Sequence, residues 1–152
     1  MSADRSYVAE NDAERERLRS LVSRSSDEDL SRPMPGGWTV AAVLAHVGFW
    51  DARAISFYGT WSRGATPPPA AAYEPEDTDW VNDSVKPLCL ALDPRAAAQL
   101  ALRLAEEADR EVAALSDELL AKILAVGRPP LNLSRATHRS EHLDDIERAL
   151  RA

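Results

Sequence analysis

Lysine is almost missing from this chain. Lys86 and Lys122 are the only two, and the remaining positive charge is arginine. Acidic residues outnumber basic ones and the net charge is −7. A nucleic-acid binder needs a basic stripe that displaces counterions from phosphates, and none is present, so nucleic acid is not an expected partner. Cys89 is the sole cysteine, which rules out an internal disulfide framework. Its neighbours Leu88 and Leu90 mark it as a buried thiol acting as a small hydrophobe. No apolar run approaches the roughly 20 residues that span a bilayer, so a membrane partner is not expected either. The first ten residues are polar and acidic and carry no secretory apolar segment, so the expected location is cytoplasmic. Strand-like alternation and internal repeats of 20–50 residues are also lacking.

What the chain does have is helical periodicity. Its 152 residues, 45% apolar and 28% charged, suit a globular protein with one sizeable core. A single domain over 1–152 is expected. The first helix covers residues 6–23, with Tyr7, Leu18, Leu21 and Val22 as a narrow apolar stripe. Residues 25–37 read as a loop because of Pro33, Pro35 and the Gly36-Gly37 pair. Thr39 is the N-cap of a second helix to residue 58, with Val40, Val43, Leu44, Val47, Ala54 and Tyr58 facing inward. Asp51 falls within that stripe, so its burial demands an arginine or a ligand histidine as partner. A proline-rich crossover over 61–75 leads to a third helix over 76–92, which Pro87 should kink or interrupt. Asp93-Pro94 restarts it, and residues 95–115 place Leu100, Leu104, Ala108, Val112 and Leu115 on one face. Residues 116–120 add a short helical turn, Gly127 to Pro130 ends it, and a last helix covers 134–150. Successive amphipathic helices with one long connection predict an all-α bundle in which not all neighbours are simple up-down pairs.

Only three histidines occur: His46, His138 and His142. His138 and His142 are four apart, so both imidazoles lie on one helix face, one turn apart. His46 borders the apolar stripe of the second helix. Three neutral imidazoles with an open further position describe a substrate-binding metal site better than a sealed structural one. At 100° per residue, Asp145 falls near the direction of His138, and Glu141 lies a little further round. Asp51 and Asp145 are therefore candidates to orient the imidazoles, and Glu141 is a candidate general base. A surface pair of histidines on a charged helix is the plainer alternative.

The residues Gly37-Trp-Thr-Val-Ala-Ala-Val-Leu-Ala-His46, followed by Trp50 and Asp51, resemble the second-helix signature of the DinB-like superfamily, and more narrowly its mycothiol-dependent maleylpyruvate isomerase branch. Asp79-Trp-Val-Asn82 resembles the start of that family's third helix. His138-Arg-Ser-Glu-His-Leu-Asp-Asp-Ile146 resembles its final helix. The resemblance implies a four-helix bundle of up-down-down-up type with an interrupted third helix. It implies one divalent ion, zinc or nickel, held by His46, His138 and His142. It also implies a low-molecular-weight thiol such as mycothiol, an electrophilic small-molecule partner, and S-transfer or isomerisation as the reaction. Homodimers are common in the family. Trp50, Arg53, Trp80 and Asn82 are the expected pocket wall, with Arg53 placed to hold a substrate carboxylate. A metal-hydroxide hydrolase and a non-catalytic metal-binding, stress-related protein are the competing expectations.

Overall fold

The computed structural model describes residues 4–64, 75–125 and 132–152. Among these residues there are seven α-helices and one short ribbon: α1 (Ser6–Arg24), α2 (Asp27–Leu30), β1 (Pro33–Met34), β2 (Trp38–Thr39), α3 (Val40–Ser62), α4 (Pro75–Ala91), α5 (Pro94–Ala113), α6 (Asp117–Ala125) and α7 (Ala136–Arg151).

Cross-helix contacts set the directions of the four long members. The Ser134 hydroxyl donates to Glu10 and Arg17 donates to Glu147, so α1 and α7 run parallel. The Tyr7 hydroxyl donates to the Val112 carbonyl, Arg19 to Glu106 and Arg95 to the Val22 carbonyl, so α5 opposes α1. His46 meets His138 while Asp51 meets Arg135, so α3 opposes α7. Gly48 lies against Ala101 and Gly59 against Glu111, so α3 and α5 are parallel. The order is up-down-down-up for α1, α3, α5 and α7. Parallel α3 and α5 need a crossover as long as themselves, and α4 supplies it by climbing back along α3.

Local chemistry explains the element ends. Thr39 caps α3 by accepting from the Ala42 N–H at 3.1 Å, and Asp93 caps α5 by accepting from Ala96 at 3.0 Å. Three expectations need correction. Pro87 does not interrupt α4, which continues to Ala91. The residue is exposed, so the carbonyl left without a donor has access to water. The break falls instead at Leu92 and Asp93, where the chain reverses into α5. Residues 25–37 are not all loop. Ser26 and Asp29 form a reciprocal capping box that starts α2. Positive φ angles of 77° at both Gly36 and Gly37 turn β1 back onto β2, with Met34 opposite Trp38. Finally, the inner face of α5 is built from Ala97, Ala98, Ala101, Ala105, Ala108 and Val112, all fully buried, while Leu100 and Leu104 lie at its edge. Small side chains let α3 and α5 approach closely at Gly48. The proline-rich stretch 65–74 and the stop at 127–130 lie outside the described residues.

Helix α3 is long and apolar enough, by length and composition alone, to cross a membrane, contrary to the sequence expectation. Its apolar positions form the centre of the bundle, and 61% of its most apolar window is buried. Two apolar clusters fill the interior. One joins Leu18, Leu21, Val40, Leu44, Ala101, Leu143 and Ile146; the other joins Tyr7, Tyr58, Val112, Leu120, Ile123 and Leu133. Between them lies a buried polar layer of Asn11, Asp51, Asp109, Arg135 and Arg139.

Candidate metal centre

Two helices bring the histidines together. On α3, His46 is 5% exposed. On α7, His138 and His142 are stacked by the helical repeat, and the antiparallel α3–α7 packing presents them to His46. The Nε2 atoms of His46 and His138 are 3.2 Å apart, and those of His142 and His138 are 3.1 Å apart. One candidate ligand atom from each ring lies within 4.8 Å of the other two. The rings meet edge-on, with centroids 4.6 to 5.1 Å apart.

This donor set fits a divalent ion. A tetrahedral ion with bonds of about 2.0–2.1 Å sets its ligand nitrogens about 3.3 Å apart. Nitrogen lone pairs converging at the observed spacing repel unless a proton or a cation sits among them. All three imidazoles are held neutral, which is the ligating form. Burial pulls His46 down to about 4, with the charge of His142 adding to it. Burial pulls His138 further below its ordinary value, helped by both other histidines and by Arg135 and Arg139. Burial also lowers His142, while Asp145 and Glu141 oppose the shift.

The polar layer abuts this cluster. Asp51 accepts from Arg135 Nε at 3.0 Å and from Arg139 Nε at 3.2 Å. Arg139 donates both terminal nitrogens to Asp109 at 2.8 and 2.9 Å, and Arg15 reaches Asp109 at 2.7 Å. The partners that Asp51 required are therefore arginines. Among the described residues it orients no imidazole directly, and the buried Nδ1 of His46 has no hydrogen-bond partner. Burial pushes the Asp51 carboxyl up and the two guanidiniums push it down. What Asp51 does is tie α3 to α7 on either side of His138.

The other expected residues divide by location. Trp50 donates its indole N–H to Asn82 at 2.8 Å, and the Arg53 guanidinium stands 4.9 Å over the Trp50 ring. The centroids of the Trp50 and His138 rings are 6.4 Å apart, so these three residues form one group beside the cluster. Trp80, expected on the same pocket wall, is 70% exposed on the outer side of α4. Asp145 pairs with Arg148 at 2.9 Å and lines a cavity of about 640 Å³ together with His46 and His142. Glu141 is exposed and lines a different depression with Glu10 and Glu14.

Sequence reasoning missed Trp38, Met34, Arg32 and Arg148, which line the same cavity as His46 and His142. It also missed Asp109, Arg135 and Arg139. A signal for Arg139 was present. It lies four residues before Leu143 and seven before Ile146, inside the apolar stripe, as Asp51 does in α3.

A model of the DinB superfamily matches residues 10–140. The chain belongs to the DinB superfamily. The matched span carries His46, His138 and the whole polar layer, and it ends before His142, whose membership of the cluster rests on its distance to His138. No curated protein and no solved structure matches the chain.

Proposed function

We propose that this DinB-superfamily chain is a divalent-metal-dependent enzyme that uses a low-molecular-weight thiol, of the mycothiol kind, in S-transfer or isomerisation. The observation that carries the reading is the convergence of three imidazoles, from α3 and α7, two of which, His46 and His142, line a cavity. His46, His138 and His142 would hold one ion, with zinc or nickel favoured by an all-nitrogen donor set. Such an ion, when bound, acidifies a thiol and supplies thiolate near neutral pH.

The chain's own residues supply the rest. His46, 5% exposed, and His142 give the cluster its face toward the cavity. Asp145, on the cavity wall, is placed to take or return a proton. Glu141, exposed beside Glu10 and Glu14, is next to His142 in the chain and acts on it through its charge; it is the candidate general base. Trp50, Asn82 and Arg53 form a wall beside His138, with Trp80 outside them. The reading takes residues 1–152 as one catalytic domain. It acts in the cytoplasm on a thiol and an electrophile, homodimerises, and engages neither nucleic acid nor membrane.

The test starts from metal-stripped protein. Zinc and nickel titrated by calorimetry should bind at one ion per chain, and each of His46→Ala, His138→Ala and His142→Ala should abolish tight binding. Full occupancy by all three variants would remove the metal centre. Zinc-loaded protein should then consume mycothiol with a panel of electrophiles faster than stripped protein. No zinc-dependent rate with any of several thiols would overturn the thiol chemistry, and thiol-independent ester or amide cleavage would point to a hydrolase instead.

A further inference from the structure

We propose that the cavity between the β1–β2 hairpin and the C-terminal half of α7 is a binding site for a small organic anion with a flat apolar body, and that Trp38 and Arg148 are its recognition residues. The inference deepens the metal-centre reading by naming a substrate class and a side of approach. The binding itself rests on the cavity.

The volume of about 640 Å³ is in the range of small-molecule sites. One wall is apolar: Pro33, Met34, Pro35, Trp38 and Val43 come from the hairpin and the start of α3. The opposite wall, from α7, presents Asp145 and Arg148. The Trp38 ring meets His46 edge-on at 5.7 Å between centroids. An aromatic body lying against this indole therefore has its other end beside the histidines.

The hairpin that carries Trp38 is held in place. Val40 donates its N–H to the Arg32 carbonyl at 3.0 Å, and Pro33 and Thr39 stand opposite each other. The Lys86 ammonium, from α4, bonds the Gly36 carbonyl and stands 5.2 Å over the Trp38 ring. The indole is thus fixed before any ligand arrives, which limits the ordering cost of binding.

Charge decides the sign of the ligand. The charged side chains on the cavity lining are the guanidiniums of Arg32 and Arg148 and the carboxylate of Asp145. Arg32 is committed to the Ala149 and Leu150 carbonyls and to Asp29, so it acts as a fixed positive wall. Among the described residues Arg148 is tied to Asp145 alone, and its side chain is 72% exposed. An exposed pair of this kind contributes little, so Arg148 can exchange Asp145 for a ligand carboxylate at small cost. A divalent ion on the histidines would strengthen the same preference.

The experiment is calorimetric titration of the metal-free and zinc-loaded full chain with 1-naphthoate and with its neutral counterpart 1-naphthalenemethanol. Metal-free wild type should bind the acid about five-fold more tightly than the alcohol. Arg148→Gln should reduce that preference to within about two-fold and leave the alcohol unchanged. Trp38→Ala should weaken both ligands about five- to ten-fold, and Trp38→Phe should restore most of the loss. Thermal melts establish that each variant is folded, and the phenylalanine variant keeps the test decisive where alanine loosens the hairpin. Equal affinity for acid and alcohol, or acid binding indifferent to both Trp38 and Arg148, overturns this inference even when zinc binds. Acid binding that depends on both residues, in a protein that takes up no zinc, supports it while removing the metal centre.

Discussion

Replacing Asp51 by alanine probes the layer that joins the metal cluster to the bundle. The carboxylate is 1% exposed and is shared by two buried guanidiniums, Arg135 at 3.0 Å and Arg139 at 3.1 Å. Two carboxylates, Asp51 and Asp109, balance Arg135 and Arg139 in the interior, with Arg15 at its edge. Removing one member of a buried ion pair typically costs about 3–5 kcal/mol, because the remaining charge loses its partner away from water. Here the loss is unequal. Arg139 keeps both bonds to Asp109. Arg135 keeps only the carbonyls of Trp50 and Asn132, each at 3.1 Å. Partial compensation places the expected cost at about 3 kcal/mol. For a chain of this size, each kcal/mol lowers the melting temperature by about 2–4 °C, so the midpoint should fall by about 6–12 °C. Thermal unfolding of the metal-free protein, followed by far-ultraviolet circular dichroism at pH 7.5, measures it. A second readout separates positioning from bulk stability. Arg135 and Arg139 flank His138, so loosening them should weaken zinc binding by about ten-fold or more, as outer-shell changes do. A fall of under about 3 °C with unchanged zinc affinity would refute the reasoning, since it would mean that the two arginines find equivalent partners without Asp51.

Acid should destabilise the metal-free protein through its histidines. Their folded values lie below the unfolded value of about 6.5, with His46 at about 4, so between those limits the unfolded chain binds protons that the folded one refuses. Stability is therefore complete above about 6.5 and falls as pH drops toward 4. Urea midpoints across that window should show a steeper slope for wild type than for His138→Gln, and equal slopes would contradict the assignment. Gly48→Ala would bring a methyl to 3.2 Å from Leu104 and 3.3 Å from the Ala101 backbone. It should cost about 1–3 kcal/mol in denaturant unfolding, and a neutral result would show that α3 and α5 are not in such close contact. Cys89 is 4% exposed and burial pushes its thiol up. It should resist an aromatic disulfide reagent in native protein and react fully in denaturant; rapid native labelling would refute its burial.

Much of the bundle was legible because local chemistry repeats at helical spacing. Thr39 and Asp93 announced their helices through caps. Tyr7, Leu18, Leu21 and Val22 marked the inner face of α1. Asp51 stood out as a carboxylate in an apolar stripe, and its need for a cationic partner followed from the cost of burying it alone. The errors came where a residue's role depends on what lies across the interface. Leu100 and Leu104 looked like core residues because they are large, yet the neighbouring Gly48 favours alanines at the closest approach of α3 and α5. Pro87 looked like a kink or an interruption, yet α4 continues past it, on an exposed face where a missing backbone bond costs little.

The candidate site shows the same division. One helix and its repeat determined that His138 and His142 share a face, since four residues make about one turn in any α-helix. Nothing local determined that His46, 92 residues before His138, would meet them. That depended on α3 running against α7, which the crossover through α4 imposes. The same packing chose Arg135 and Arg139 as the partners of Asp51. It also set Trp38 beside His46, because the ribbon's pairing with α3's first turn is a contact across space. Sequence by itself determined which side chains were available and which faces they occupied. Tertiary structure decided which faces met, because burial and charge pairing act between segments that the chain brings together only on folding.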